Sequence, residues 1–417
     1  MTLPTSYSAT LDFLFPRTTT IKFGLDTTRA LLASLGDPQQ FVPSIHIAGT
    51  NGKGSVSTLV AEALRAHGLR VGLYTSPHLI SFRERITVDG IPIAEDAVAA
   101  WTDALRPAIE EHQATFFEAT TAIALAHFAA REVDIAVIEV GLGGRLDSTN
   151  VITPLVSAVT HIALDHQKYL GDTVEEIAAE KAGIAKPAIP FVIGEPDARL
   201  ADVIREAGAV RIASEAPGGA YLPMVVPPAS QWTGKLGLVG PHQSRNAAVT
   251  QAILNALPES LRPSGEEIAA AFARARIAGR FDRRGKWIFD VAHNPDSMRA
   301  LVATLREATV TRPVHALVSI LGDKEWAEML VELDQAIDVG ILTIAPSADT
   351  RKWDLSWLEA WLADPARPAA RAEWHLVPEF AAALERVQRG AGTVLITGSF
   401  HTVGDVMKAL GMGVESL

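Results

Sequence analysis

The sequence predicts an α/β protein of two domains: an N-terminal parallel sheet with helices on both faces, and a smaller C-terminal α/β domain. Three observations predict it. The chain has 417 residues, too many for one typical core. Short runs rich in Val and Ile, such as "DIAVIEVG", "PLVSAVTHI" and "IPFVIG", are nearly continuous in apolar character and are separated by helical patterns. That is the signature of parallel strands buried on both faces. A second alternation of the same kind begins after the polar, glycine-containing stretch "RIAGRFDRRGK".

Taken in order, "SIHIAG" from Ser44 reads as the first strand, followed by a helix from about Gly54 to His67, with Gly68 as its stop. "RVGLYTS" is the next strand and "FFEATTAIALAHFAARE" a buried helix. Pro and Gly thicken between Ala216 and Pro241, which marks a loop- and strand-rich subsegment. A helix from Ser244 to about Leu257 follows. The second alternation runs "KWIFDVAHNP" strand, "SMRALVATLREA" helix, then strands "VHALVSILG", "VGILTIAPS" and "GTVLITGSF". It is Rossmann-like, and the boundaries predicted are 1–283 and 284–417. No internal repeat of fixed period is present.

Composition excludes several classes. The chain has no cysteine, so disulfides, thiolate metal sites and a cysteine nucleophile are out, and a reducing compartment is predicted. The start, "MTLPTSYSATLDFLF", has neither a basic segment nor a long apolar core, so no signal peptide is read. "TTAIALAHFAA" falls far short of the ~20 apolar residues of a membrane span. The expectation is a soluble cytoplasmic protein. A net charge of −11 without a basic patch argues against a nucleic-acid partner. An acidic chain can still bind small anions if it concentrates positive charge at one spot.

"HIAGTNGKGSVSTLVAEAL", from His46 to Leu64, is such a spot. A strand feeds a glycine-rich loop that opens a helix, which is an anion cradle: backbone N–H groups turn inward and the helix N-terminus adds partial positive charge. Lys53 adds a full charge on a long stem. Ser55 or Ser57 offers a hydroxyl to a metal that bridges phosphates. The strict P-loop pattern G-x-x-x-x-G-K-[ST] is not met, because Ile47 stands at its first glycine and Gly54 follows the lysine. The loop therefore points to phosphate more firmly than to a particular nucleotide enzyme, and the first domain is read as P-loop-type. Glu139, at the end of "IAVIEVGLGG", sits where a sheet of this class holds ligands. Glu139 also has a plain reading as a strand-end acid, whereas on their own His166 reads as structural or surface, Lys181 as a helix-surface lysine and Ser76 as a turn residue.

"HIAGTNGKGS", "YTSPHL", "EVGLGGRLDSTN", "LDHQKYLGDTVEEIAAEKAGI", "AHNP" and "GSFHT" occur together and in order. In this the chain resembles the folylpolyglutamate synthase/dihydrofolate synthase family of the Mur-ligase superfamily, from "IKFGL" near the start to "TGSFHTVGDVM" near the end. The resemblance implies an ATP-dependent ligase that adds L-glutamate to dihydropteroate, to the glutamate tail of reduced folates, or to both, through an acyl phosphate. Alternatives are a ligase of UDP-linked cell-wall substrates and a P-loop ATPase that switches a protein partner.

By that resemblance, Gly49, Thr50, Asn51, Gly52, Lys53, Gly54 and Ser55 form the phosphate loop. Ser55, Ser76 and Glu139 ligate a first Mg²⁺, and His166 with Glu139 a second. Lys181 matches a lysine that carries a carbamate in relatives. Thr115, Phe117, Asp147 and Arg83 (or Arg85) become pterin or folate contacts. A carboxylate at Asp147 suits a ring edge with two adjacent donors, and Phe117 can stack on a flat ring. Asn246, Arg280, Asp290 and His293 match residues near the nucleotide, and His293 and Ser399 near glutamate. The resemblance leaves room for a monovalent cation and implies small-molecule partners and a monomer. Val291 stands where relatives read glycine. Valine resists positive φ, so a left-handed backbone there is doubtful. His401 is a free candidate for the base that deprotonates the glutamate amine, but nothing in the sequence singles it out.

Overall fold

The structure is a computed structural model and describes residues 6–19, 21–364 and 370–413. The chain forms two compact units. One holds the chain up to His78, Phe82–Lys235 and Arg245–Ala273; the other holds Leu79–Ser81, Leu236–Ser244 and the chain from Arg274. Among the described residues no helix is long and apolar enough to cross a membrane.

The first unit is built on an eight-stranded sheet. Its strands are β1 (Ser44–Ala48), β2 (Val71–Tyr74), β3 (Ile86–Val88), β4 (Ile91–Pro92), β5 (Ile135–Glu139), β6 (Val156–Val159), β7 (Pro190–Ile193) and β8 (Leu222–Val225), in the order β4-β3-β2-β5-β1-β6-β7-β8. The run from β2 to β8 is parallel, as the apolar strands predict. The β3–β4 edge is antiparallel. That edge departs from the all-parallel expectation, and its signal was the Asp89-Gly90 dipeptide. Both residues have positive φ, 53° and 78°, as a two-residue hairpin loop demands.

Two apolar layers cover this sheet. One contains Tyr74, Phe82, Phe116, Ile123, Phe128 and Ile138; the other Val159, Ile177, Ile184, Phe191 and Ile204. The helix Phe116–Ala130 is buried along nearly its whole length because it is apolar around its circumference. Helix Lys53–Ala66 starts at the glycine loop and ends before Gly68, whose φ of 89° closes it.

The second unit carries six strands: β9 (Asp282–Arg284), β10 (Trp287–Phe289), β11 (Val314–Val318), β12 (Val339–Leu342), β13 (Glu373–Leu376) and β14 (Thr393–Thr397). Their order is β13-β12-β11-β14-β10-β9, parallel except for the β9–β10 hairpin. Alternate residues face two cores, Ile288 and Leu395 in one, Phe289 and Ile396 in the other. Two strands here escape an apolar-run reading. β9 reads "DRR", within the stretch taken above as a polar boundary, and pairs through a hairpin with Gly285 at φ 62°. β13, "EWHL", is an edge strand.

Candidate functional site

Register places the glycine loop. Ile47 lies opposite Glu139 on β5, and Ala48 opposite Val159 on β6. Gly49 therefore comes level with Thr160, so closely that a Cβ on Gly49 would lie 1.9 Å from Thr160 Oγ1. With φ of 149° as well, only glycine fits. Thr160 Oγ1 donates to Asn51 O at 2.7 Å, and Thr50 Oγ1 to Ala163 O at 3.1 Å. Thr50 N and Asn51 N donate to His161 O at 2.7 and 3.4 Å, and His161 N returns a bond to Asn51 O at 3.4 Å. The loop is thus laced to the extension of β6. Gly52, at φ 90°, caps helix Lys53–Ala66, and a Cβ there would meet Asn246 Oδ1 at 2.8 Å. Asn246 therefore lies against the loop, within the same unit.

The helix start leaves its first N–H groups without intrahelical partners, the property that binds anions. Lys53 Nζ donates to Gly49 O at 2.9 Å and Thr50 O at 3.0 Å. Ser55 is buried in the first turn; Ser57, two residues further along, is fully buried. The missing side chain of Gly54 faces Glu139: a Cβ would lie 3.9 Å from Glu139 Oε2. Glu139 is buried at the end of β5, and its Oε2 accepts from Ser76 N at 3.3 Å. Loop, carboxylate and Ser76 thus converge at the C-terminal ends of β1, β5 and β2, where open α/β sheets bind ligands.

Lys181, on helix Val174–Ala182, is buried and not on the surface. Burial, reinforced by the charge of Lys53, brings its ammonium down to about 7, against the pull of Asp165, Asp147 and Glu180. Asp165 is the residue that the sequence reading passed over, although it stands in the quoted "LDH". It is buried, and its Oδ1 accepts from His166 N at 2.8 Å. His166 sits at φ 53° with Nε2 3.9 Å from the same oxygen, its side chain partly exposed. Among the described residues no three His, Asp or Glu side chains gather as a metal nest. The donors present, one buried carboxylate and serine hydroxyls beside a phosphate-type loop, suit a hard cation that keeps waters and takes phosphate oxygens.

The residues matched to the pterin are held as follows. Asp147 is buried, and its carboxylate accepts from Leu142 N (2.8 Å), Thr149 N (3.0 Å) and Thr149 Oγ1 (2.5 Å). Burial still pushes its pKa up, against these bonds and one from Gly141 N. The Phe117 ring lies so close to Gly141 that a Cβ there would sit 2.3 Å from Cζ, and it tilts against Tyr74 with centroids 6.0 Å apart. Thr115 caps helix Phe116–Ala130 in a capping box with Glu118. Arg83 donates to Ile93 O at 2.6 Å and lies 4.0 Å from the exposed Glu95. Arg85 is the inward arginine. It is buried, donates from Nε to His78 Nδ1 at 2.7 Å, and sits 5.1 Å from the Phe116 ring. Phe82 and Arg85 share the inner face of the 3₁₀ turn Phe82–Arg85, because residues i and i+3 eclipse there.

In the second unit, Asp290 follows β10 and accepts from Phe281 N (2.9 Å) and Ala292 N (3.0 Å). Burial raises its pKa to about 6, against the nearby charge of Arg280. The Arg280 guanidinium lies 5.5 Å from the Phe400 ring, and the His293 ring 5.7 Å from it, with Nδ1 bonded to Val291 O. Ser399 caps helix Phe400–Ala409 and donates to Ser319 O at 3.0 Å. Val291 has no positive φ and is fully buried, so the doubt over its backbone is resolved: the position packs as an ordinary core valine. His401 Nδ1 pairs with Ser347 Oγ at 2.9 Å.

Two family models match: the Mur ligase middle domain over residues 47–212, and the Mur ligase glutamate ligase domain over 274–400. The folylpolyglutamate synthase of Lacticaseibacillus casei is 35% identical over 91% of this chain and 92% of its own length. A probable bifunctional folylpolyglutamate synthase/dihydropteroate synthase of Haloferax volcanii is 34% identical over 96% of this chain, which spans 50% of that longer protein. Escherichia coli FolC, solved in complex with DHPP and ADP, superposes with a TM-score of 0.84 at 31% identity, covering 98% of each chain. A bifunctional folylpolyglutamate synthase/dihydrofolate synthase solved with Mn, AMPPNP and L-glutamate gives 0.81 at 31% identity and the same coverage. These matches favour the folate reading over the UDP-substrate and ATPase-switch alternatives. The chain belongs to the folylpolyglutamate synthase/dihydrofolate synthase family of ATP-dependent Mur ligases.

Proposed function

We propose that this enzyme joins L-glutamate to dihydropteroate and to the glutamate tail of reduced folates, through an acyl phosphate made with ATP. The observation that carries the reading is the meeting of Lys53, Gly54, Glu139 and Ser76 at the strand ends. It is supported by the relatives solved with ADP, with AMPPNP and Mn, with DHPP and with L-glutamate.

A carboxylate resists attack by an amine because its charge is delocalised, and phosphorylation supplies a leaving group. Loop residues Gly49 to Ser55 hold the β- and γ-phosphates, and Lys53 offsets charge on the group in transfer. Ser55, Ser76 and Glu139, with His166 at a second position, are the residues that would hold Mg²⁺. When bound, that ion supplies Lewis-acid neutralisation of phosphate charge. The substrate carboxylate attacks the γ-phosphorus in line and ADP leaves; the neutral amine of glutamate then attacks the acyl carbon, phosphate leaves, and the nitrogen gives up a proton to become the amide. Lys181, near neutrality as an amine, is primed to take up CO₂, and the resulting carbamate places an anion where an ammonium would repel the metal. Asn246, Arg280, Asp290 and His293 serve the nucleotide, and His293 and Ser399 the glutamate. Phe117 offers a face to the pterin ring. Asp147 already accepts four donors, so it acts by shaping the 141–149 loop around that ring. Arg85 replaces Arg83 as the inward cation for the substrate's acidic end. A monomer working in the cytoplasm, with a monovalent cation as activator, completes the proposal.

The test is product mass analysis with dihydropteroate and with tetrahydrofolate offered separately. ADP release should require both the pterin substrate and glutamate. A product from only one acceptor would restrict the enzyme to one activity, and ADP release without glutamate-bearing product would overturn the reading.

A further inference from the structure

Glu195 is a buried acid that the mechanism above does not use. It stands just beyond β7, 1% exposed, where an ionised carboxylate is costly unless its oxygens are bonded. They are. Oε2 accepts from Ile162 N at 2.7 Å and faces His161 Nδ1 at 3.0 Å, and Oε1 accepts from Asp197 N at 2.9 Å. A carboxylate only accepts, so His161 carries its hydrogen on Nδ1 in this pair. His161 is also the residue whose carbonyl receives Thr50 N at 2.7 Å and Asn51 N at 3.4 Å. Glu195 thus grips, by side chain and by backbone, the segment to which the glycine loop is laced.

The preceding residue does the same for the other wall. Gly194 O accepts from Arg245 Nε at 3.1 Å and Nη2 at 2.7 Å. Arg245 adjoins Asn246, whose Oδ1 lies against Gly52. Both neighbours of the loop, His161 and Asn246, therefore hang from the Gly194–Glu195 pair, one strand removed from β6.

We propose that Glu195 is a positioning residue for the glycine loop, fixing Thr50 and Asn51 through His161 so that the loop is set for phosphate before ATP arrives. This rests on the reading that the loop binds the nucleotide. Sites of this kind lose function when their support relaxes by as little as about 0.5 Å.

The test compares Glu195→Ala, Glu195→Gln, His161→Ala and Lys53→Ala by steady-state kinetics in each substrate, with thermal unfolding alongside. Glu195→Ala should raise KM for ATP about tenfold while KM for glutamate and for the folate stays within about twofold. Glu195→Gln, which keeps one acceptor oxygen for Ile162 and His161, should recover most of that loss. His161→Ala should show a smaller rise of the same kind, and it decides the matter if Glu195→Ala does not fold. An unchanged KM for ATP in Glu195→Ala and His161→Ala, or a parallel rise in all three KM values with a lowered melting temperature, overturns the proposal. Lys53→Ala separates the two claims. If it loses nucleotide affinity and Glu195→Ala does not, only the positioning role fails. If Lys53→Ala binds ATP normally, the loop reading fails, and the inference with it.

Discussion

The ammonium of Lys53 is bonded to the carbonyl of Gly49, four residues back, at 2.9 Å. The loop thus holds its own cation over its mouth, with Thr50 O as the second anchor at 3.0 Å. Replacing it by alanine leaves the backbone cradle and removes the charge. Lys53→Ala should cut pterin-dependent ADP release and product formation together, by about 100-fold or more, in a coupled ADP assay. Near-normal ATP turnover in the variant would sink the assignment.

Gly49→Ala should fail for a reason of shape. The new methyl would collide with Thr160 Oγ1, on a backbone that alanine rarely adopts. A loss of roughly 2–4 kcal/mol in urea unfolding is expected, with weakened ATP binding. A stability loss below about 0.5 kcal/mol would show that the loop can re-route.

Lys181 makes stability depend on pH with a definite sign. Its folded value, about 7, lies below the ordinary 10.5. Between those values the unfolded chain binds the extra proton, so stability rises with pH there, and the penalty of a buried ammonium is complete below about 7. In CO₂-free buffer, Lys181→Met should be more stable than the parent at pH 6, and the difference should shrink by pH 9, as thermal unfolding will record. The parent should lose activity when CO₂ is stripped and regain it with bicarbonate; full activity without CO₂ would exclude the carbamate.

Arg85→Ala should raise KM for the pterin substrate at least about tenfold, against a change within about twofold for Arg83→Ala. Arg85 points inward beside Phe116 and His78, whereas Arg83 is spent on Ile93 O. Equal effects in initial-rate measurements would return Arg83 to candidacy.

Thr115→Ala removes a helix cap and should cost about 1 kcal/mol of stability. If the cap is its main duty, KM for the folate should stay unchanged. A selective rise in that KM would show direct contact.

Local pattern was enough for much of the architecture. The parallel strands are apolar because both their faces are covered, and that burial leaves its mark on composition. The antiparallel edge strands β3, β4 and β9 left only turn dipeptides as a trace, Asp89-Gly90 and Gly285-Lys286, because an edge strand need not be apolar. The loop was legible because glycine, lysine and hydroxyl must be close in sequence to act at one helix terminus.

By itself, then, the sequence determined the strand–loop–helix order and the family, since these depend on neighbours along the chain. Only the tertiary structure decided that Thr160 forbids any side chain at Gly49, that Lys181 is buried near Lys53 and Asp165, and that Glu195 braces His161. Those facts join residues as far apart as Gly49 and Thr160 or Lys53 and Lys181, and parallel pairing of β1, β5, β6 and β7 brings them together. Desolvation and hydrogen-bond satisfaction act on distances in space, and no local pattern records them.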